Sequence, residues 1–364
     1  MRSKSAVREP GVMSSCPETT RVDKRSQYRV LVVTNLWPTA ADPSYGSFVE
    51  AQMESLRALG VEYDVLFVNG RESLMNYLGG IVQVRRSLAA KRYDLIHAHF
   101  GLSGWVARFQ LRAPLVVSFM GDDVLGRFDR TGQVGIVGRI FQLSSLLLAR
   151  SAAAVIVKSE AMKARLRLES ALVIPNGVSL DLFRPMDTAE ARGRLGLDSN
   201  RKYVIFPYDP AIANKRYDLV EEAVRQAQRD VPELELLQVS GVARSRMPLY
   251  LNAADALVLA SHSEGSPNIV KEAMAVNLPV ISTDVGDVAR LLGSTDGCYI
   301  VPRRAADIAA RIIQVCRRGM RTQGRDRIVR YAEDRIAREI VAVYASVTGV
   351  KPTLAAKFGA GPEP

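Results

Sequence analysis

The stretch ALVLASHSEGSPNIVKEAMAVNLPVIST, residues 256–283, carries the pattern that decides the fold. Two short apolar runs, at 256–259 and 279–282, flank a helical segment that opens just after Gly265 and Pro267. Short apolar runs that alternate with helical segments are typical of βαβ units, which build parallel sheets. The stretch therefore predicts an α/β fold in which informative loops follow the strands.

The same alternation extends outward in both directions. Six strands are predicted in the first half of the chain, at 29–34, 63–68, 95–98, 115–118, 154–157 and 172–174. Five are predicted in the second half, at 203–206, 234–239, 256–259, 279–282 and 299–301. Because these runs are almost continuously apolar, we expect helices on both faces of each sheet. The pattern predicts two Rossmann-like, doubly wound parallel sheets that face each other across a cleft.

A Pro-Asn-Gly break at 175–177 and the polar stretch after it, with a helical run at 188–195, indicate a boundary between the two sheets. Apolar residues at helical spacing predict one last helix over 325–346. The predicted divisions are a disordered arm at 1–27, a first domain at 28–185, a linker at 186–200, a second domain at 201–324, a helix at 325–348 that crosses back to the first domain, and a tail at 349–364.

Composition narrows the class of protein. The 364 residues carry a formal charge of +11, which suits nucleic acid, an anionic membrane surface or a phosphorylated substrate. Aromatic residues are few and do not alternate with basic ones, which argues against nucleic acid. No Walker sequence and no G-x-G-x-x-G fingerprint occurs. Three scattered cysteines (Cys16, Cys298 and Cys316) favour a reducing cytoplasm, and no apolar run is long enough to span a membrane.

The loop that follows the predicted strand at 256–259 is suited to an anion. Gly265 allows close backbone approach, Ser266 can cap the helix, and Pro267 suits the first helical position, so free N–H groups face the loop. A diphosphate would fit there. Glu264 lies in the loop and Glu272 just over one turn into the helix, so the two reach different parts of an extended ligand. From spacing alone, both could equally be ordinary surface carboxylates.

Glu264 and Glu272 in this setting, followed by residues 277–283 and Gly286, resemble the retaining glycosyltransferases of family 4, which have the two-domain B-type fold. Weaker similarity extends over about 28–347 and includes the 173–178 segment between the domains. The resemblance implies transfer of a hexosyl group from a UDP- or GDP-linked sugar to a hydroxyl of a saccharide or lipid-linked saccharide. It places that reaction in the synthesis of cell-surface polysaccharide or glycoconjugate, with no cofactor.

In the donor site, the resemblance implies that Glu272 binds the ribose hydroxyls and that Glu264 lies against the donor sugar as a catalytic residue. The backbone that receives the phosphates is Gly265, Ser266, Pro267, Asn268 and Ile269. Asn277 stands where the family usually has glycine after the helix, and asparagine also tolerates the left-handed conformation. No Asp-x-Asp pair is present, so the sequence requires no metal ion.

The family also places a basic pair in the first loop of the second domain, where it neutralises the departing diphosphate. Lys215 matches the catalytic member of that pair. Pro207 and Tyr208 replace the usual Gly-Arg after the first strand, and Arg216 is expected to compensate as a donor-binding residue. Without the resemblance, Lys215 and Arg216 would be interpreted as surface charges at a helix start.

In the first domain, alternation along a strand sends His97 and His99 to one face, and the resemblance makes His99 a catalytic contact for the donor sugar or acceptor. Three further residues are predicted on the acceptor side: Gly46, Asp122 and Asp123. Each has a plainer interpretation, as a helix-start glycine or as solvated turn carboxylates. Met120 stands where the family often has histidine.

Two other functions fit the same architecture: a nucleotide-sugar epimerase and a non-catalytic nucleotide-sugar-binding protein. The basic cluster of Arg85, Arg86, Lys91 and Arg92 is either a solvated helix face or a peripheral contact with anionic lipid. The second interpretation would place the protein at the cytoplasmic face of a membrane, beside a lipid-linked acceptor.

Overall fold

The fold is that of a computed structural model, which describes residues 28–126, 128–129 and 131–350. The predicted arm at 1–27 and residues 351–364 of the predicted tail lie outside the described residues. The rest forms two parallel sheets, of six and five strands, with helices on both faces. This confirms the predicted α/β fold with two doubly wound sheets.

The first sheet has the strand order β2-β1-β3-β4-β5-β6. Its strands are β1 (Tyr28–Thr34), β2 (Val61–Phe67), β3 (Leu95–His99), β4 (Leu115–Ser118), β5 (Ala154–Val157) and β6 (Leu172–Val173). Its helices are α1 (Ser47–Ala58), α2 (Met75–Ala90), α3 (Gly101–Arg108), α4 (Asp122–Leu125), α5 (Ile136–Ser151) and α6 (Glu160–Leu166).

The helix α7 (Thr188–Leu195) follows, and then the second sheet, with the order β11-β10-β9-β7-β8. Its strands are β7 (Lys202–Phe206), β8 (Leu234–Gln238), β9 (Ala256–Leu259), β10 (Val280–Ser282) and β11 (Tyr299–Ile300). Its helices are α8 (Tyr217–Ala227), α9 (Met247–Ala253), α10 (Asn268–Ala275), α11 (Val288–Leu292) and α12 (Ala305–Arg318). Every predicted strand is present, with ends that differ by at most two residues.

Burial on both faces explains why the strands are continuously apolar. Along β1, Leu31 and Val33 belong to the core under α2, α3 and α5, whereas Val30 and Val32 belong to a second core on the opposite face. All four side chains are at most 1% exposed. Successive residues of a strand point to opposite faces, so each face needs its own apolar set.

The prediction of one continuous helix at the C-terminal end is wrong, because the helix is interrupted at Ala332. The structure has α13 (Gly324–Ile328), a 3₁₀ turn (Val329–Tyr331) and α14 (Glu333–Thr348). At the break, the N–H of Val178 donates to the carbonyl of Tyr331 (2.9 Å), and the N–H of Glu333 donates to the carbonyl of Val178 (3.1 Å). These bonds to the segment between the domains replace helical ones.

Beyond the break, α14 crosses back to the first domain, as predicted. Ile336, Ile340 and Tyr344 lie in the core that also contains Tyr28 and Val30 of β1. At the end of α14, the Tyr28 hydroxyl donates to the carbonyl of Val350 (2.7 Å). The last helix therefore completes the first domain, not the second.

Candidate donor-binding and catalytic site

A cleft of about 320 Å³ lies between the carboxyl ends of the two sheets. The first domain contributes Ser44, Ser47, Phe48 and Met120, and Asn176 lines the cleft at the junction of the domains. The second domain contributes the loop–helix segment at 264–269 together with Glu272 and the two loops that follow β7 and β8. Open α/β sheets bind ligands at these strand ends.

The backbone around Glu264 is fixed by a turn that only glycine fits. Gly286 has φ +58°, and a Cβ atom there would lie 2.5 Å from the carbonyl oxygen of Gly265 and 2.8 Å from that of Glu264. Because residue 286 is a glycine, the turn after β10 can pack directly against the backbone of residues 264–265. This contact positions the Glu264 side chain at the edge of the cleft.

The prediction that Ser266 caps α10 is wrong. Pro267 is the N-cap residue, with φ −68° and ψ 118°, and no side chain caps the helix. The Ser266 hydroxyl instead donates to Asp287 Oδ2 (3.0 Å) and accepts from Lys271 Nζ (2.9 Å). Because these two charged partners occupy the hydroxyl, it is not available to the first turn of the helix. The N-terminus of α10 still opens on the cleft, since residues 264–269 line it.

Asn277, which follows α10, adopts the left-handed conformation with φ +61°. This confirms the prediction that asparagine replaces a glycine there. Its Oδ1 also accepts the N–H of Arg325 (2.9 Å), so the side chain fastens the start of α13.

Lys215 and Glu264 form an ion pair at the mouth of the cleft. Lys215 Nζ lies 2.5 Å from Glu264 Oε1, and the Ser261 hydroxyl donates to the same oxygen (2.6 Å). Burial alone would lower the pKa of Lys215, but the charge of Glu264 and the hydrogen bond to its carboxylate outweigh burial and raise that pKa above its ordinary value. The site therefore holds a permanent ammonium where two strand-following loops meet.

Tyr208, one of the two residues that replace the expected Gly-Arg, contacts Lys215. Lys215 Nζ lies 3.9 Å from the centre of the Tyr208 ring, which is within the range of a cation–π contact. Burial raises the pKa of the Tyr208 hydroxyl, so the ring stays neutral. Pro207 and Tyr208 both line the cleft. The residues that depart from the family pattern thus support the lysine instead of adding a second cation.

Glu272 faces an arginine that the sequence analysis did not single out. Arg244 follows β8 and lines the cleft, with its Nε 3.9 Å from Glu272 Oε1 and its NH2 2.7 Å from Glu333 Oε1. Its Nε has no hydrogen-bond partner among the described residues. Burial raises the pKa of Glu272, and the nearby charge of Arg244 opposes that rise. The only signal in the sequence was an arginine placed just after a predicted strand.

Arg216, the residue expected to compensate, turns away from the cleft. Its backbone is left-handed, with φ +56°, and its guanidinium pairs with Asp218 (2.9 Å) and lies near His262 (3.4 Å). It is not among the described residues that line the cleft. The second cation beside the predicted donor site is Arg244 instead.

The two histidines of β3 share one environment, as predicted, with ring centres 4.2 Å apart. His97 lies 2.7 Å from the Tyr344 hydroxyl and 2.8 Å from the Ser118 hydroxyl. His99 is fully buried, and its Nε2 lies 3.0 Å from the Gln52 side-chain nitrogen. Burial lowers the pKa of His97 to about 3 and that of His99 well below its usual range. Both rings are neutral and fully buried, and neither is among the residues that line the cleft.

The two predicted acceptor-side carboxylates have different surroundings. Asp123 is buried, and its carboxylate accepts the N–H groups of Gly101, Met120 and Gly121 at 2.9–3.0 Å. Burial raises its pKa to about 6. It holds the loop together and does not line the cleft. Asp122 is exposed at the start of α4, and its charge acts on Lys215.

Gly46, at the start of α1, is constrained by the backbone that it touches. It has φ +72°, and a Cβ atom there would lie 2.2 Å from the carbonyl carbon of Leu36. Gly46 does not line the cleft, but Ser44, Ser47 and Phe48 around it do. In the described part of the chain, no group of three or more His, Cys, Asp or Glu side chains could hold a metal ion.

Models of two protein families match the chain, one for each sheet. The glycosyl transferase 4-like domain matches residues 23–177, and the glycosyl transferases group 1 domain matches residues 214–318. Between them they cover every cleft-lining residue except Pro207 and Tyr208.

Among curated relatives, TuaC of Bacillus subtilis, a glycosyltransferase assigned to teichuronic acid biosynthesis, is 27% identical over 349 residues, covering 78% of this chain and 88% of TuaC. A D-inositol 3-phosphate glycosyltransferase of Geodermatophilus obscurus is 26% identical over 303 residues. That match covers 70% of this chain and 66% of the relative.

Solved structures share the fold. Sucrose-phosphate synthase of Thermosynechococcus elongatus superposes with a TM-score of 0.72 at 20% identity, covering 89% of this chain and 99% of the synthase. HepE of Anabaena, in complex with UDP and glucose, superposes with a TM-score of 0.67 at 18% identity, covering 88% of this chain and all of HepE. Together with the two domain matches, these similarities show that the chain belongs to the family-4, group 1 glycosyltransferases.

Proposed function

We propose that this glycosyltransferase moves a hexosyl group from a nucleoside diphosphate sugar to a hydroxyl of a saccharide or lipid-linked saccharide, with retention of anomeric configuration. One observation carries the proposal. Glu264, paired with Lys215, and Glu272, beside Arg244, lie at the two ends of one loop–helix segment in the cleft between the sheets. A carboxylate and a cation at each end suit an elongated ligand with hydroxyl groups at both ends and phosphates in the middle.

Donor binding follows from this layout. Glu272 accepts hydrogen bonds from the ribose hydroxyls, and the N–H groups of Ser266, Asn268 and Ile269 receive the diphosphate at the positive end of α10. Pro267 shapes this turn but has no N–H to offer. The charge of Arg244 opposes the rise in the pKa of Glu272, and Arg244 offers a second cation to the donor. The HepE structures, which contain UDP-glucose, support a uridine donor, with a guanosine donor as the alternative.

In the transfer step, the bond from the anomeric carbon to the phosphate oxygen breaks, and the leaving diphosphate takes the electron pair. The Lys215 ammonium offsets the charge that develops there. The acceptor hydroxyl oxygen bonds to the anomeric carbon from the same face, and its proton passes to the departing phosphate oxygen. Glu264 holds a donor-sugar hydroxyl and fixes Lys215. None of these steps needs a metal ion. His99 takes no part in bond making, because it is fully buried and does not line the cleft.

The acceptor is proposed to enter from the first domain, past Ser44, Ser47 and Phe48, with exposed Asp122 close by. The match to TuaC supports a place in cell-surface polysaccharide or glycoconjugate synthesis. Cys298 and Cys316 are free thiols, which suits the proposed cytoplasmic location.

A two-stage experiment tests the proposal. A thermal-shift screen across UDP- and GDP-linked sugars should identify a donor that raises the melting temperature. That donor, incubated with oligosaccharide and lipid-linked acceptors, should give a product whose anomeric linkage, determined by NMR, matches the donor. Conversion of the donor to another nucleotide sugar without acceptor would indicate an epimerase. Donor binding with neither hydrolysis nor transfer would indicate a binding protein.

A further inference from the structure

Helix α5 carries its most apolar stripe on its outer face. Ile136, Ile140, Leu143 and Leu147 recur at helical spacing and are 80%, 61%, 61% and 54% exposed. The opposite face of the helix packs on the core through Leu148 and its neighbours. A surface helix of a soluble domain normally has the reverse arrangement. This stripe has no partner among the described residues.

Helix α2 adds a second stripe on the same side of the first domain. Leu74, just before the helix, is 73% exposed, and Met75, Leu78 and Val82 are 67%, 57% and 49% exposed. The inner sides of α2 and α5 contribute to one core, and α3 lies between them in contact with both. We call the combined outer surface of α2, α3 and α5 the α2–α5 face. Exposed apolar stripes, as opposed to single scattered apolar residues, mark an interaction site.

The charges of the α2–α5 face all have one sign. The three helices contain Arg85, Arg86, Arg108, Arg139 and Arg150, and none contains an aspartate or a glutamate. Lys91, part of the predicted basic cluster, pairs with Asp64 (3.0 Å) and lies beyond the end of α2. Arg85 and Arg86 belong to the predicted basic cluster, and Arg108, Arg139 and Arg150 extend the cationic surface to α3 and α5.

We infer that the α2–α5 face docks on the surface of an anionic lipid bilayer. A bilayer offers an apolar layer for the exposed stripes and negative head groups for the arginines. A second copy of the chain fits poorly, because its matching face would place like charges against each other. None of the helices in the described residues has the length and apolar character that a membrane-spanning helix requires.

This orientation would bring the cleft to the lipid. Helices α2 and α5 begin at the carboxyl edge of the sheet, and most of the exposed apolar residues lie in their first halves. Gly132, shortly before α5, lies so close to His262 that a Cβ atom there would be 3.0 Å from its ring. His262 precedes Glu264 in the donor loop. A lipid-linked acceptor would rest on the proposed function, whereas docking itself does not.

Vesicle cosedimentation tests the inference with the full chain. Phosphatidylcholine vesicles with and without phosphatidylglycerol are compared over a series of salt concentrations. The variant Ile140→Ser/Leu143→Ser alters the α5 stripe, and Ile300→Ser/Met320→Ser is the matched control on the second domain, where both residues are exposed. We expect binding only to anionic vesicles, weakened by salt, and lowered about 10-fold or more in the α5 variant but not in the control.

Absence of binding to anionic vesicles, or equal binding by the two variants, would overturn the inference. So would a concentration-dependent dimer in light scattering that the α5 variant loses, since the occupant would then be a second copy. Transfer to a soluble acceptor should be the same in both variants. If transfer fails while vesicle binding persists, the proposed function fails and the docking surface stands.

Discussion

The ammonium of Lys215 and the carboxylate of Glu264 lie 2.5 Å apart, with side chains only 15% and 12% exposed. The pair joins the loop after β7 to the loop after β9. Residues that form such a pair act as a unit, because loss of either leaves the other charge partly buried and without its partner. Their contributions to turnover should therefore not be independent.

Removal of either member should lower turnover. Lys215→Met and Glu264→Gln are each expected to reduce kcat by about 100-fold or more, the effect of losing one preorganised electrostatic group. The double variant should lose little more than either single variant. Initial rates at saturating donor measure this. Losses that multiply in the double variant would show that the pair does not act as a unit.

Glu272→Gln should affect donor binding more than turnover. Loss of a charged hydrogen-bond acceptor costs about 1.5–3 kcal/mol, so the donor KM should rise about 10-fold or more while kcat changes little. Glu333→Gln is the matched control, because Glu333 binds the same arginine but does not line the cleft. A similar KM in the two variants would contradict the ribose-binding role.

His99→Asn should lower kcat by less than the roughly 100-fold that removal of a general acid or base causes. The reason is that His99 is fully buried and does not line the cleft, and burial holds its pKa well below the usual range. The pH dependence of kcat/KM should accordingly show no histidine titration between pH 6 and 8 that this variant abolishes. Loss of such a titration in His99→Asn would return His99 to the catalytic set.

Lys158→Met should stabilise the protein, most strongly at lower pH. Lys158 is fully buried, and burial together with the charge of Lys271 lowers its pKa to about 7. Between pH 7 and its unfolded pKa near 10.5, only the unfolded state binds the proton, so wild-type stability rises with pH by at most about 1.4 kcal/mol per unit. Below pH 7 both the folded and the unfolded state bind the proton, so the full cost of burying the charged lysine remains.

Urea unfolding of wild type and Lys158→Met at pH 6.5 and 9.5 measures this difference. The stability gained by the variant should be larger at pH 6.5 and shrink at pH 9.5. An equal gain at both values would mean that the lysine is not neutralised by burial.

Periodicity was sufficient to predict the sheets, because strands buried on both faces must be continuously apolar. The left-handed backbone at Asn277 was also predictable, because asparagine is one of the few residues that tolerate this conformation after a helix. The break at Ala332 was not predictable. The apolar spacing continues through it, and what interrupts the helix is a hydrogen-bonded bridge to Val178 far away in sequence. Long-range backbone pairing leaves no local pattern.

The sequence predicted which loops form the site, but not every side chain of those loops that faces the cleft. The sequence located the Glu264 and Glu272 segment and Lys215, but it singled out Arg216 and did not identify Arg244. Which arginine faces the cleft depends on the backbone at residue 216, whose left-handed turn directs the side chain to Asp218. The sequence alone does not separate Arg216 from Arg244, because both are arginines in loops that follow strands of the second sheet. The exposed stripe of α5 was missed because helical periodicity does not say which face is covered.

The crossing of α14 has a consequence for the order in which the chain is made. The hydrogen-bonded Tyr28 and Val350 are 322 residues apart, so β1 leaves the ribosome long before the helix that covers it. At about 5–20 residues per second, the delay is on the order of tens of seconds. The second sheet is synthesised entirely within that interval. The first domain is thus begun before the second sheet and completed after it. Met53 and Leu56 of α1 can pack beside Val30 and Val32 early, but this core lacks its α14 side chains until that helix is made.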